Sequence, residues 1–75
     1  MRYQFTNYEL REGGEIPHGT DREYFIRQSR MSAASHLINE DRMIIGYVIK
    51  HNYHRNMDQI WFKTLQIIYP EDEKE

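Results

Sequence analysis

The chain has 75 residues, a formal net charge of -2 and no cysteine. That length admits one domain, and a domain this small buries only about 60 to 65% of the surface it exposes when unfolded, so its core is thin. Without cysteine, neither disulfides nor a thiolate zinc site can supplement that core, which fits a cytoplasmic protein better than a small secreted one.

A mean hydropathy of -0.91 and 29% charged residues lean toward disorder, but 13% aromatics and clustered isoleucines argue for a folded core. The longest apolar run, residues 43–49, is far shorter than the ~20 residues that cross a bilayer. The opening Met1-Arg2-Tyr3-Gln4 has no apolar run behind it. Neither a secretory leader nor a membrane partner is expected. Negative net charge by itself disfavours nucleic acid. Residues 70–75, however, read Pro-Glu-Asp-Glu-Lys-Glu, and residues 1–69 hold nine basic and eight acidic side chains plus four histidines. The expected organisation is one domain over 1–69 and an acidic, disordered tail over 70–75, because Pro70 ends the preceding element and little after it can be buried.

Residues 2–11 alternate and are rich in aromatics, which predicts a strand. Tyr3 and Phe5 share one face and Tyr8 and Leu10 the other, so one extra residue near Thr6-Asn7 is expected as a bulge. Residues 12–20 hold three of the four glycines and one of the two prolines, which predicts a loop. Their spacing matches neither a P-loop nor a dinucleotide fingerprint.

Two readings compete over 21–40. Thr20-Asp21-Arg22-Glu23 has capping-box spacing and would start a helix at residue 21. Tyr24-Phe25-Ile26 are poor helix formers, and Arg27, Gln28, Ser29 and Arg30 interrupt the apolar stripe. The preferred reading is a short strand at 22–28, then a helix over about 32–41 capped by Ser29 or Ser32. Ala34, Leu37, Ile38 and Asp41 would lie along or beside its buried side.

Residues 43–55 form the best strand candidate, with isoleucine, valine, tyrosine and a glycine unfit for a helix interior. Residues 59–69 satisfy helical spacing at Met57, Ile60, Trp61, Leu65 and Ile68, yet their residue types favour a strand. A three-residue hairpin loop at 56–58 would pair Ile45 with Tyr69, Tyr47 with Ile67 and Ile49 with Leu65 on one face. His51 would then meet Lys63, and Tyr53 would meet Trp61; the opposite face is more polar. The expected fold is α+β, a small antiparallel sheet of three or four strands (β-β-α-β-β or β-α-β-β) with one helix packed on one face. The runner-up has helices at 21–40 and 57–69.

That pairing has a functional consequence. A strand from 43 to 55 would be roughly 40 Å long, whereas a ten-residue helix covers about 15 Å. The distal hairpin would project, carrying Lys50, His51, Tyr53, Arg55, Trp61 and Lys63 as the candidate partner-binding residues. A protein is the favoured partner, because there is no cation surplus to drive phosphate binding. Nucleic acid is the alternative, since aromatics among cations suit base stacking. A homodimer is a further way to complete the thin core. His51 and His54, three apart on a strand, point to opposite faces, so no metal site is expected, nor any cofactor. A base, an acid and a cation for ribonuclease chemistry could come from His51, His54, Arg55 and Tyr53, but no orienting carboxylate is evident. The expected function is a non-enzymatic interaction module, an adaptor or small inhibitor. The alternative is a nucleic-acid-binding or nucleolytic domain using the same tip.

Overall fold

A computed structural model describes residues 4, 5 and 7–68 of the chain. The expected tail at 70–75 lies outside them. The fold is α+β, in the order β-α-β-β with a two-residue strand ahead of it: β1 (Gln4–Phe5), β2 (Glu9–Ile16), α1 (Arg22–Leu37), β3 (Arg42–Asn52) and β4 (Met57–Ile68). Among the described residues all strand pairing is antiparallel and all of it runs through β4. β3 takes one edge of β4, and β2 the other, with β1 on residues 67 and 68 beyond it.

The N-terminal segment departs from expectation in where its strands end. From Phe5↔Ile67 to Glu9↔Thr64 the N-terminal chain takes four steps against three on β4, so one residue is added between the two strands, as the change of apolar phase requires. The expected loop at 12–20 is half strand, because β2 runs on to Ile16. It does so by means of a second extra residue, Gly13, between Glu12 and Gly14. A Cβ on Gly13 would overlap the Phe62 ring and come within 2.9 Å of Ile60, and Gly14 sits at φ +113°. These glycines let a strand bend over the core instead of marking a turn.

The strand expected at 22–28 is helix. Asp21, in extended conformation, accepts from the backbone N–H groups of Glu23 and Tyr24 through its carboxylate and caps the first turn. Neither Ser29 nor Ser32 is the cap. Arg27, Gln28 and Arg30 simply face solvent, while Phe25, Ser29, Ala33 and Leu37 recur every fourth residue on the better-covered side. Only Leu37 of them is fully buried. Ala34 and Ile38 are exposed, and α1 ends at Leu37 instead of reaching Asp41. After one 3-10 turn, Asp41 adopts φ 56° and its carbonyl accepts from Ile67 N–H at 2.8 Å, which launches β3.

Residues 57–68 are strand, against the two-helix runner-up, but the expected register fails. Asn52 pairs with Met57, His51 with Asp58, Ile49 with Ile60, Tyr47 with Phe62 and Val48 with Trp61. The turn is therefore residues 53–56, not 56–58. Asn52 Oδ1 accepts from the backbone N–H groups of His54 and Arg55 to open it, and Asn56 closes it at φ 52°. From Gly46 to Asn52 the true register differs from the expected one by an odd number of residues, so these β3 side chains share a face with the other alternate set on β4. Tyr53 does not face Trp61, and the Tyr47–Ile67 and Ile49–Leu65 pairs do not form, while the expected partner of Ile45, Tyr69, lies outside the described residues. Ile45 is instead the extra residue of a bulge between Ile44 and Gly46 and is 46% exposed.

One face of β4 thus carries Ile60, Phe62 and Thr64, all wholly buried beneath α1 together with Ile16. Thr64 is tolerated there because its hydroxyl is satisfied twice. It donates to Glu9 O at 3.0 Å and accepts from Arg42 Nη1 at 2.9 Å. The Gly13 contact yields a test: Gly13→Ala should lower the unfolding free energy by about 1–3 kcal/mol, as overpacking does, read as a lower urea midpoint at unchanged slope.

Candidate functional site

The register divides the expected partner-binding residues among three places. Lys50, Trp61 and Lys63 lie on the face of the sheet away from α1. His51 lies on the α1 side, and Tyr53 and Arg55 sit in the turn. They do not form one surface.

On the open face, Lys50 Nζ rests 5.0 Å from the centre of the Trp61 ring and Lys63 Nζ 5.6 Å from that of Tyr8, each a cation–π contact. Strand alternation puts Leu10, Val48 and Leu65 on this same face, with Glu12 and Glu15 from β2. Trp61 is half-buried, and its indole Nε1–H is enclosed without an acceptor among the described residues. The face has an apolar centre and charges of both signs around it.

The other site arises at the turn end, under the start of α1. Asp58, directly opposite His51, accepts from His51 Nδ1 at 2.8 Å through Oδ1 and from Arg22 Nη2 through Oδ2. The His51 hydrogen bond, and then the charge of Arg22, hold the Asp58 carboxyl below its ordinary value of 3.8 against a partial opposing effect of burial. An ionised carboxylate can only accept, so the neutral ring of His51 carries its proton on Nδ1 and leaves the lone pair on Nε2. His18, in the loop before α1, donates from Nε2 to the Asn56 carbonyl at 3.0 Å, which leaves its Nδ1 free. His18, Arg22, His51 and Asp58 line one open pocket of about 200 Å³ together with Gly19 and Thr20. Tyr53 packs edge-on against His51 at 4.7 Å between ring centres and is 86% exposed. Arg55 pairs with Glu15 at 2.8 Å.

The orienting carboxylate absent from the sequence reading is therefore Asp58. It was hidden in an expected loop, and Arg22 in an expected strand. His18 carried no local signal, since only the turn carbonyl of Asn56 brings it to the pocket. Among the described residues no group of three or more His, Asp or Glu side chains is placed to hold a metal, and no helix is long and apolar enough to cross a membrane. Compared with family models, curated proteins and solved structures, the chain matches none.

The lowered Asp58 pKa has a defined sign. A depressed folded-state value contributes stability that is present above the unfolded value of 3.8 and is lost as pH falls through the still lower folded value. Urea midpoints measured from pH 7 down to pH ~2.5 should fall across that acidic window, and Asp58→Asn should remove part of the fall. An unchanged profile in the variant would show that the His51–Asp58–Arg22 cluster contributes nothing to the acid limb.

Proposed function

We propose that the chain is a macromolecular interaction module, an adaptor or small protein inhibitor, that docks a protein through the open face of its β3–β4 hairpin. The observation that carries this reading is Trp61, a large aromatic held half-buried at the middle of a sheet face that α1 does not cover. Tryptophan in such a setting is the residue type most enriched among binding hot spots, particularly when charges at the rim leave an apolar centre to be desolvated. Lys50 and Lys63 against Glu12 and Glu15 give that rim both signs, which suits a protein surface better than a phosphate backbone. The near-balance of charge over residues 1–69 points the same way.

A second reading places single-stranded nucleic acid at the turn end. Its support is specific: Tyr53 offers an exposed ring beside the His51–Asp58–Arg22 pocket, and exposed aromatics next to cations are how bases are stacked.

The two readings separate by mutation. Trp61→Ala should weaken binding of a partner isolated from the native host by at least about 2 kcal/mol with the circular dichroism spectrum unchanged, and Tyr53→Ala should leave that binding intact. Trp61 is the only tryptophan, so its emission should also shift on titration of the partner. A Trp61→Ala protein that stays folded and binds at full strength would remove the open face from consideration.

A further inference from the structure

We propose that the pocket at the turn end cleaves single-stranded RNA by attack of a ribose 2′-hydroxyl on its own 3′-phosphodiester, an inference that rests on the nucleic-acid reading of that end. The two histidines are held by opposite ring nitrogens. His51, its Nδ1–H fixed by Asp58, presents Nε2 as a base, and His18, its Nε2–H fixed by Asn56 O, presents Nδ1, which in the imidazolium form is an acid. His51 Nε2 removes the 2′-hydroxyl proton as the 2′-oxygen forms a bond to phosphorus. The bond from phosphorus to the 5′-oxygen of the next nucleotide breaks, and His18 Nδ1 protonates that oxygen as it leaves. The products are a 2′,3′-cyclic phosphate and a 5′-hydroxyl, and the pair of histidines has exchanged protonation states with no other reactant required. Arg22 uses Nη2 on Asp58, and its other guanidinium N–H groups serve the non-bridging phosphate oxygens, where charge develops in the transition state. Tyr53, edge-on to His51 and exposed, stacks the adjoining base. His51 and His18 are the catalytic residues, and Asp58 is a positioning residue.

The test uses the full chain, EDTA, an end-labelled single-stranded RNA of mixed sequence, and DNA of the same sequence. RNA is expected to be cut to fragments ending in 2′,3′-cyclic phosphate, while DNA, which has no 2′-hydroxyl, is bound but intact. His51→Ala and His18→Ala should each slow cutting by at least about 100-fold, the lower end of what a general acid or base supplies. His51→Gln serves if the alanine variant fails to fold. Asp58→Asn should slow cutting and, in ¹⁵N spectra, abolish the preference of His51 for the Nδ1–H tautomer, which a merely structural role would not do. Four outcomes bear on the idea. Cyclic-phosphate products that vanish in both histidine variants support it. Cutting that persists in both at the wild-type rate is a contaminating nuclease and overturns it. RNA bound but uncut overturns the cleavage step and leaves the nucleic-acid reading standing. Neither nucleic acid bound overturns both.

Discussion

The fold depends on one strand being paired along both edges. β4 gives one edge to β3 and the other to β2 and β1, and its alternate residues Ile60, Phe62 and Thr64 are the wholly buried ones. The apolar two supply roughly 1.5–3 kcal/mol each by leaving water. Thr64 does something a third apolar residue could not. Through one hydroxyl it ties the Glu9 carbonyl of β2 to the Arg42 guanidinium of β3, and the Arg42 side chain, only 8% exposed, reaches Glu9 again at 3.3 Å. Both neighbours of β4 are thereby fastened to it at the same level.

So narrow a core explains how much of the molecule is left for contact. Leu37 is the single fully buried residue of α1, so the helix shields one face of the sheet without bringing much apolar surface of its own. On the other face the ammonium groups of Lys50 and Lys63 rest over the Trp61 and Tyr8 rings, contacts worth only about 0.5–1 kcal/mol each at exposed sites, which a partner displaces at little cost. The two candidate sites therefore sit on opposite sides of one sheet, about three residues apart on β4, from Asp58 to Trp61.

Residue type and alternation made the architecture legible and the register illegible. Isoleucine, valine and tyrosine over 43–55 and tryptophan, phenylalanine and threonine over 59–69 marked two strands, and both are there. Matching apolar partners then favoured a loop at 56–58, whereas local backbone chemistry closes the turn earlier. Asn52 binds two amides and Asn56 takes a left-handed conformation, and neither is visible in a hydrophobic pattern. That single displacement moved Asp58 out of the strand and away from His51, so the missing carboxylate and the wrong loop were one error. The helix start failed for a related reason. The long polar run 27–30 was weighed as an interruption, while the Asp21 cap, which needs no apolar partner, outweighed the poor helix propensity of Tyr24, Phe25 and Ile26.

Because every ladder includes β4, the order of synthesis shapes how the chain can fold. As it is made from its N-terminus, residues 4–16 find no strand to pair with until residues 57–68 exist, and β3 is in the same position. The β3–β4 ribbon closes over a four-residue turn, so it can form as soon as β4 is free, and β2 must then return across more than forty intervening residues to complete the sheet. That long closure is the slow, entropically costly step. Until it occurs, the ribbon edge destined for β2 stands open, and Ile60 and Phe62 are without the bent glycine strand that seals them. A nascent chain in that state offers an apolar, hydrogen-bonding edge to any neighbour, which makes the interval before β2 arrives the period when aggregation competes with folding.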